Sequence, residues 1–159
     1  MRITVKVVKN DKLWNKMVKN LSRGGDKGVD VGWWNSRHPS GEPSAQIAKW
    51  NEEGHMTSRR AYSPPRPFLR IGWMGKVRRR GLSKYTQMVD SIAMGKLTWS
   101  KLNSIIAKDL TESLRQEILD WKTPENSPYT VEKKGFNDPL IETGSLYDTI
   151  KSRTMRARK

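Results

Sequence analysis

Leu102, Ile105, Ile106, Leu110, Leu114, Ile118 and Trp121 form a continuous apolar stripe at helical spacing. The stripe predicts a long amphipathic helix that starts at Thr98 or Ser100 and runs to Trp121. A different period opens the chain. Ile3, Val5 and Val7 alternate with Arg2, Thr4 and Lys6, as in a strand with one buried face. Asn10 or Asp11 can then cap a helix bearing Leu13, Trp14, Met17, Val18 and Leu21 at spacings of three and four. Gly24 and Gly25 end it. "GVDVGWW" at Gly28 to Trp34 reads as a second strand, in which Gly32 predicts a bulge or a close backbone approach.

The stretch from Asn35 to Ser44 is turn chemistry, punctuated by Pro39, Gly41 and Pro43. Ser44 is the expected cap of a short helix holding Ile47, Ala48 and Trp50, which stops at Gly54. Pro64, Pro65 and Pro67 then enforce extended backbone, so the next helix can start only from about Pro67. That helix runs irregularly from Phe68 toward Ala93, interrupted at Gly72, Gly75 and Gly81. After the long helix, "TPENSP" is a stop, "YTVEKKG" reads as a short strand, and "DPLIETGSLYDTIKSR" ends the ordered part in a terminal strand.

These elements predict an α+β domain with fewer than five strands. A small, mainly antiparallel sheet packs against two long helices, and a long irregular loop region separates them. Residues 1–150 are expected to form one domain and 151–159 a basic C-terminal tail. A chain of 159 residues suits a single core.

Charge changes the picture more than length does. Lys and Arg total 31 against 16 Asp and Glu, giving a net charge of +15 and a pI near 10.3. Such a surface favours contact with nucleic acid, acidic protein surfaces or anionic lipid. Between His55 and Val89 there is no acidic residue, while Arg59, Arg60, Arg66, Arg70, Lys76, Arg78, Arg79, Arg80 and Lys84 are all basic. Arg153, Arg156 and Arg158 continue the pattern. Arg59, Arg60, Arg78, Arg79, Arg80, Arg153, Arg156 and Arg158 are therefore the expected contacts to DNA or to an acidic surface, with a solvated face as the competing reading. No base-reading motif accompanies them, so contact with nucleic acid is expected to be independent of sequence.

Catalytic chemistry finds little support. The chain has no cysteine, and its only imidazoles are His38 and His55. The nearest approach to a metal cluster is Glu52, Glu53 and His55. Neighbouring helical positions diverge, however, and His55 lies beyond Gly54. Glu112, Glu117 and Asp120 read as a solvated helix face paired with Lys108 and Arg115. Neither enzymatic activity nor a metal or other cofactor is expected. No stretch approaches the about 18 apolar residues of a membrane helix, and "MRITVKVVKND" lacks a signal peptide's apolar core, so a protein without a membrane span is expected, made and used in a cytoplasm or carried in a particle assembled there. Trp14 and Trp121 are expected in the core, whereas Trp33, Trp34, Trp50 and Trp73 divide between core and interface.

Three segments carry a resemblance. Ala48, Asn51, Glu52 and Gly54 form a helix end after the strand "VDVGWW", with Glu53 where an aromatic residue is usual. Pro65, Arg66, Pro67, Phe68 and Leu69 follow. Pro139, Leu140, Ile141, Thr143, Gly144, Leu146 and Ile150 make the third segment, with Glu142 for aspartate and Ser145 for a basic residue. Together they resemble signature segments of the neck, tail-completion and virion-morphogenesis proteins of long-tailed bacteriophages. The resemblance implies an α+β subunit of a homo-oligomeric ring, commonly sixfold, that joins the head connector to the tail tube or tail terminator and lets DNA pass. Its implied location is the virion neck or head-proximal tail, after assembly in the host cytoplasm. The stretch from Trp50 to Leu69 then reads as a loop held by rigid ends. Trp50, Asn51, Met56, Tyr62, Pro65, Arg66, Pro67, Phe68 and Leu69 are its expected contacts to a neighbouring subunit, and His55 to Pro64 is expected to be mobile until that subunit arrives. The alternative is a sequence-independent nucleic-acid-binding protein.

Overall fold

A computed structural model of the chain describes residues 11–24, 27–57, 60–73 and 79–156. In chain order the elements are α1 (Asp11–Ser22), β1 (Lys27–Gly32), α2 (Ser44–Glu53), β2 (His55–Met56), β3 (Tyr62–Ser63), α3 (Phe68–Gly72), α4 (Arg79–Ala93), α5 (Trp99–Asp120), α6 (Pro128–Lys134), α7 (Ser145–Asp148) and β4 (Lys151–Arg156). The fold is α+β, as the patterning predicts. The strand expected at Arg2 to Val8 lies outside the described residues.

Helix α5 is the spine. Its hydroxyl cap is Thr98, whose Oγ1 accepts the Lys101 N–H at 3.2 Å. Its inner face buries Leu102, Ala107, Leu110, Leu114 and Ile118. Against it lies a two-stranded antiparallel sheet of β1 and β4, with register running from Lys27↔Arg156 to Gly32↔Lys151. The register is unbroken at Gly32, so the expected bulge is absent, and the ring of Trp34 lies over that glycine instead. Strands β2 and β3 form a separate two-residue hairpin. The main core gathers Trp33, Ala48, Phe68, Leu114, Ile118, Trp121, Leu140, Leu146 and Ile150.

Several expectations are corrected. "YTVEKK" is helical, because Ser127 Oγ accepts the Thr130 N–H at 3.3 Å, Pro128 needs no donor in the first turn, and Gly135 closes the far end through its N–H to the Val131 carbonyl at 2.8 Å. These end signals prevail over the β-branched Thr130 and Val131. The described residues of the irregular helix from Phe68 toward Ala93 fall in α3 and α4, and Gly81 lies within α4, under the ring of Tyr85. Ser44 is the first residue of α2 rather than its cap, a position that falls to Pro43. Residues 151–156 belong to the sheet as β4, so the basic tail does not begin at 151. Trp14 is 64% exposed: α1 packs beside α4, to which Asn20 donates at the Ala93 carbonyl, and its tryptophan is left facing solvent.

Candidate assembly surface and its supporting core

The end of α2 is built to hold the start of α3. The Glu52 carboxylate accepts the backbone N–H groups of Leu69 at 2.8 Å and Arg70 at 3.3 Å. These are amides of a first helical turn, which have no partner within the helix. Glu52 is thereby committed to the backbone rather than to a metal, and no group of three or more metal-ligating side chains occurs among the described residues. One residue earlier, the Asn51 carbonyl accepts the Arg66 N–H at 2.6 Å. Gly54 then turns with φ 76°. A side chain there would come within 2.9 Å of Pro65 N, Ser63 O and the Tyr62 hydroxyl.

Arg66 and Phe68, both expected at a subunit interface, are buried within the subunit. The Arg66 guanidinium donates to the carbonyls of Pro124 and Glu125, both at 3.2 Å, and reaches Asn126 Oδ1 at 3.5 Å. Burial lowers its pKa from the ordinary arginine value. Phe68 is fully buried, edge-on to Trp33 with ring centroids 6.2 Å apart. Leu69 packs against the same core. The Trp33 indole donates to the Leu146 carbonyl at 2.7 Å. Leu146 follows the turn at Gly144, whose φ of 76° starts α7 and whose carbonyl accepts the Tyr147 and Asp148 amides. Strand β1, the α2–α3 connection and the segment from Pro139 to Ile150 thus meet in one core.

What remains outward is the hairpin tip. The Thr57 N–H donates to the Ala61 carbonyl at 2.8 Å, the Ala61 N–H donates to Thr57 Oγ1 at 3.2 Å, and Arg60 turns with φ 58°. Within the stretch expected to be mobile, the described residues on either side of its middle pair as a short hairpin. Met56 and Tyr62 are each 62% exposed and cross-strand neighbours. Pro65 is exposed, and Pro67 and Asn51 are half-buried. Asn51 binds back to the Ile47 carbonyl at 2.9 Å. Trp50 is half-buried and stacks on His55, with centroids 5.3 Å apart. Beside the hairpin a cleft of about 620 Å³ opens, walled by His38, Tyr62, Tyr129, Lys134 and Glu142. Burial lowers the Lys134 pKa against the opposing pull of Glu142 and Asp138, and its ammonium is held by the Asp138 carbonyl at 2.7 Å.

Of the expected DNA contacts, Arg60 and Arg153 have described side chains. Arg59, Arg78 and Arg158 lie outside the described residues. Arg79 and Arg80 open α4 and Arg156 ends β4, with side chains outside the described residues as well. Arg60 is exposed at the hairpin tip. Arg153 bonds to its cross-strand partner Asp30 at 3.1 Å and lies 4.3 Å from the Trp34 ring centroid.

Sequence reasoning missed two tying residues. Arg115, expected in ion pairs on the solvated face, donates to the Tyr147 carbonyl at 3.2 Å and the Ile150 carbonyl at 3.3 Å, fixing α7 to α5. Trp99 donates to the Asn20 carbonyl at 3.0 Å and fills the space above Gly24. The bare backbone of Gly24 was a signal for such a close approach; Arg115 had none. No family model matches the chain, and no curated protein or solved structure matches it either. No helix among the described residues is long and apolar enough to cross a membrane.

Proposed function

We propose that this chain is a structural subunit of the neck of a tailed bacteriophage, a tail-completion protein whose copies close into a ring between head connector and tail. The observation that supports this most is the convergence of the three signature segments. The second and third lie far apart in sequence, yet Phe68 of one and Leu146 of the other both meet Trp33, in the "VDVGWW" stretch that precedes the first, through the ring contact and the indole hydrogen bond. A core of that kind holds the β2–β3 hairpin outward on a stiff base, with Met56 and Tyr62 free to be buried by a neighbour. In this reading the subunit performs no reaction, and its partners are other copies of itself, the connector, and the tail tube or terminator.

Native mass spectrometry and negative-stain imaging test the reading. A closed ring, or decoration of tail ends, is the expected result for the wild-type chain. The paired change Met56→Glu and Tyr62→Glu is expected to abolish assembly while leaving the thermal midpoint of the subunit unchanged. A protein that stays monomeric at all concentrations and binds neither connector nor tail would overturn it.

A further inference from the structure

At ~100° per residue, Lys12, Lys16, Lys19 and Arg23 fall within a ~60° arc along α1 and its C-terminal end, and all four are exposed. The ridge spans ~16 Å at ~1.5 Å rise per residue. Its base is a built junction. The Asn20 side chain donates to the Ala93 carbonyl at 3.1 Å, the Trp99 indole donates to the Asn20 carbonyl at 3.0 Å, and the Trp99 ring lies over Gly24. This junction brings the turn between α4 and α5 beside the ridge, with the Lys16 Cε atom 3.8 Å from a Cβ built on Gly95. Exposed Lys96 and Lys101 lie in and just after that turn. The α5 N-terminus adds the positive end of a 22-residue helix. No acidic residue occurs from Lys12 to Gly24 or from Ser91 to Ile106. Among the described residues, Lys12, Lys16, Lys19, Arg23, Lys96 and Lys101 are in none of the ion pairs, whereas Lys84, Lys122 and Arg153 are all paired.

We propose that this ridge and turn form a binding surface for the phosphate backbone of duplex DNA, separate from the hairpin. Three features favour a regularly charged polymer. The cations repeat once per helical turn with no apolar side chain among them. They have no intramolecular carboxylate partners to displace, so neutralising phosphates releases counterions at little internal loss. Protein interfaces, by contrast, combine charge depletion with aromatic anchors, and the exposed apolar residues of α1 lie off the ridge, Leu13 at ~90° and Trp14, Val18 and Leu21 at ~130–170° around the helix. The surface reads no bases and is available in a single subunit, so it stands whether or not a ring forms.

Fluorescence anisotropy with a labelled mixed-sequence duplex, titrated across salt, tests the proposal in the full-length protein. The triple change Lys16→Glu, Lys19→Glu and Lys96→Glu is compared with Lys49→Glu, Lys122→Glu and Lys133→Glu, which alters net charge equally at other exposed sites. The first set is expected to weaken binding at least about tenfold and to reduce the salt slope by roughly one per phosphate contact removed. The second set is expected to change affinity by no more than about twofold to threefold. Lys→Gln at the first three positions guards against misfolding and should give a smaller loss in the same direction with an unchanged thermal midpoint. Equal losses from both triple variants would overturn the proposal in favour of net charge alone. Equal competition by polyglutamate would overturn it in favour of an acidic protein, and stronger binding to anionic vesicles in favour of a membrane.

Discussion

Glu52 holds Leu69: one carboxylate oxygen accepts the Leu69 amide at 2.8 Å while the other reaches the Arg70 amide at 3.3 Å, joining the end of one helix to the start of another. A side chain distant in sequence thus caps α3, whose own preceding residue, Pro67, offers no side-chain acceptor. Glu52→Ala is expected to destabilise the protein by about 1–2 kcal/mol, and Glu52→Gln by about half as much because one carbonyl oxygen remains. Urea unfolding measures both, and no change for the alanine variant would refute the capping role.

Phe68 is the most enclosed side chain of the core. Phe68→Ala is expected to cost about 3–5 kcal/mol through lost transfer energy and an unfilled cavity, and Phe68→Leu roughly 1–2 kcal/mol. The same measurement separates a core role from an interface role. An interface residue would change assembly while leaving subunit stability untouched.

Arg66 is expected to behave as a clamp rather than a contact. Arg66→Met removes the donors that serve Pro124, Glu125 and Asn126, and should destabilise by about 2–4 kcal/mol. Arg66→Lys recovers only part of this, since a single ammonium cannot span the fork of acceptors. Trypsin cleavage after Lys122 or Lys133 should accelerate in both variants as the loop before α6 loosens, an effect read by mass spectrometry of the fragments.

Tyr85 gives a pH dependence. Burial, the hydrogen bond to Asp109 at 3.0 Å and the charge of that carboxylate push its phenol up from 10.0 to about 12. Below the unfolded value both states keep the proton. Between the two values only the folded state does, so stability falls as pH rises from 10.0 to about 12. Tyr85→Phe should flatten that part of the stability curve and remove a tyrosinate absorbance step near 12. An identical alkaline profile in wild type and variant would contradict the Asp109 contact.

How far the sequence could be read depended on the range of the forces involved. The spine α5 was legible because its stripe is local and long, and the end of α2 because Gly54 punctuates it. Helix α6 was misread because Thr130 and Val131 favour a strand, although Ser127 and Gly135 supply the caps. The fate of Arg66 was illegible for a different reason: its acceptors lie 58 to 60 residues away, on a loop whose approach no periodicity encodes. Trp14 was misassigned because amphipathicity tells that a helix has an apolar side but not how much of that side its neighbours cover.

Helix α1 has no buried residue, and its C-terminal end is tied to the turn between α4 and α5, where Asn20, Gly24 and Trp99 meet. Its amides should therefore exchange with solvent through a local opening less costly than global unfolding, while those in the middle of α5 wait for the whole domain. Trp99→Phe, which deletes the indole donor but keeps most of the ring, would then raise exchange in α1 and leave that of α5 unchanged.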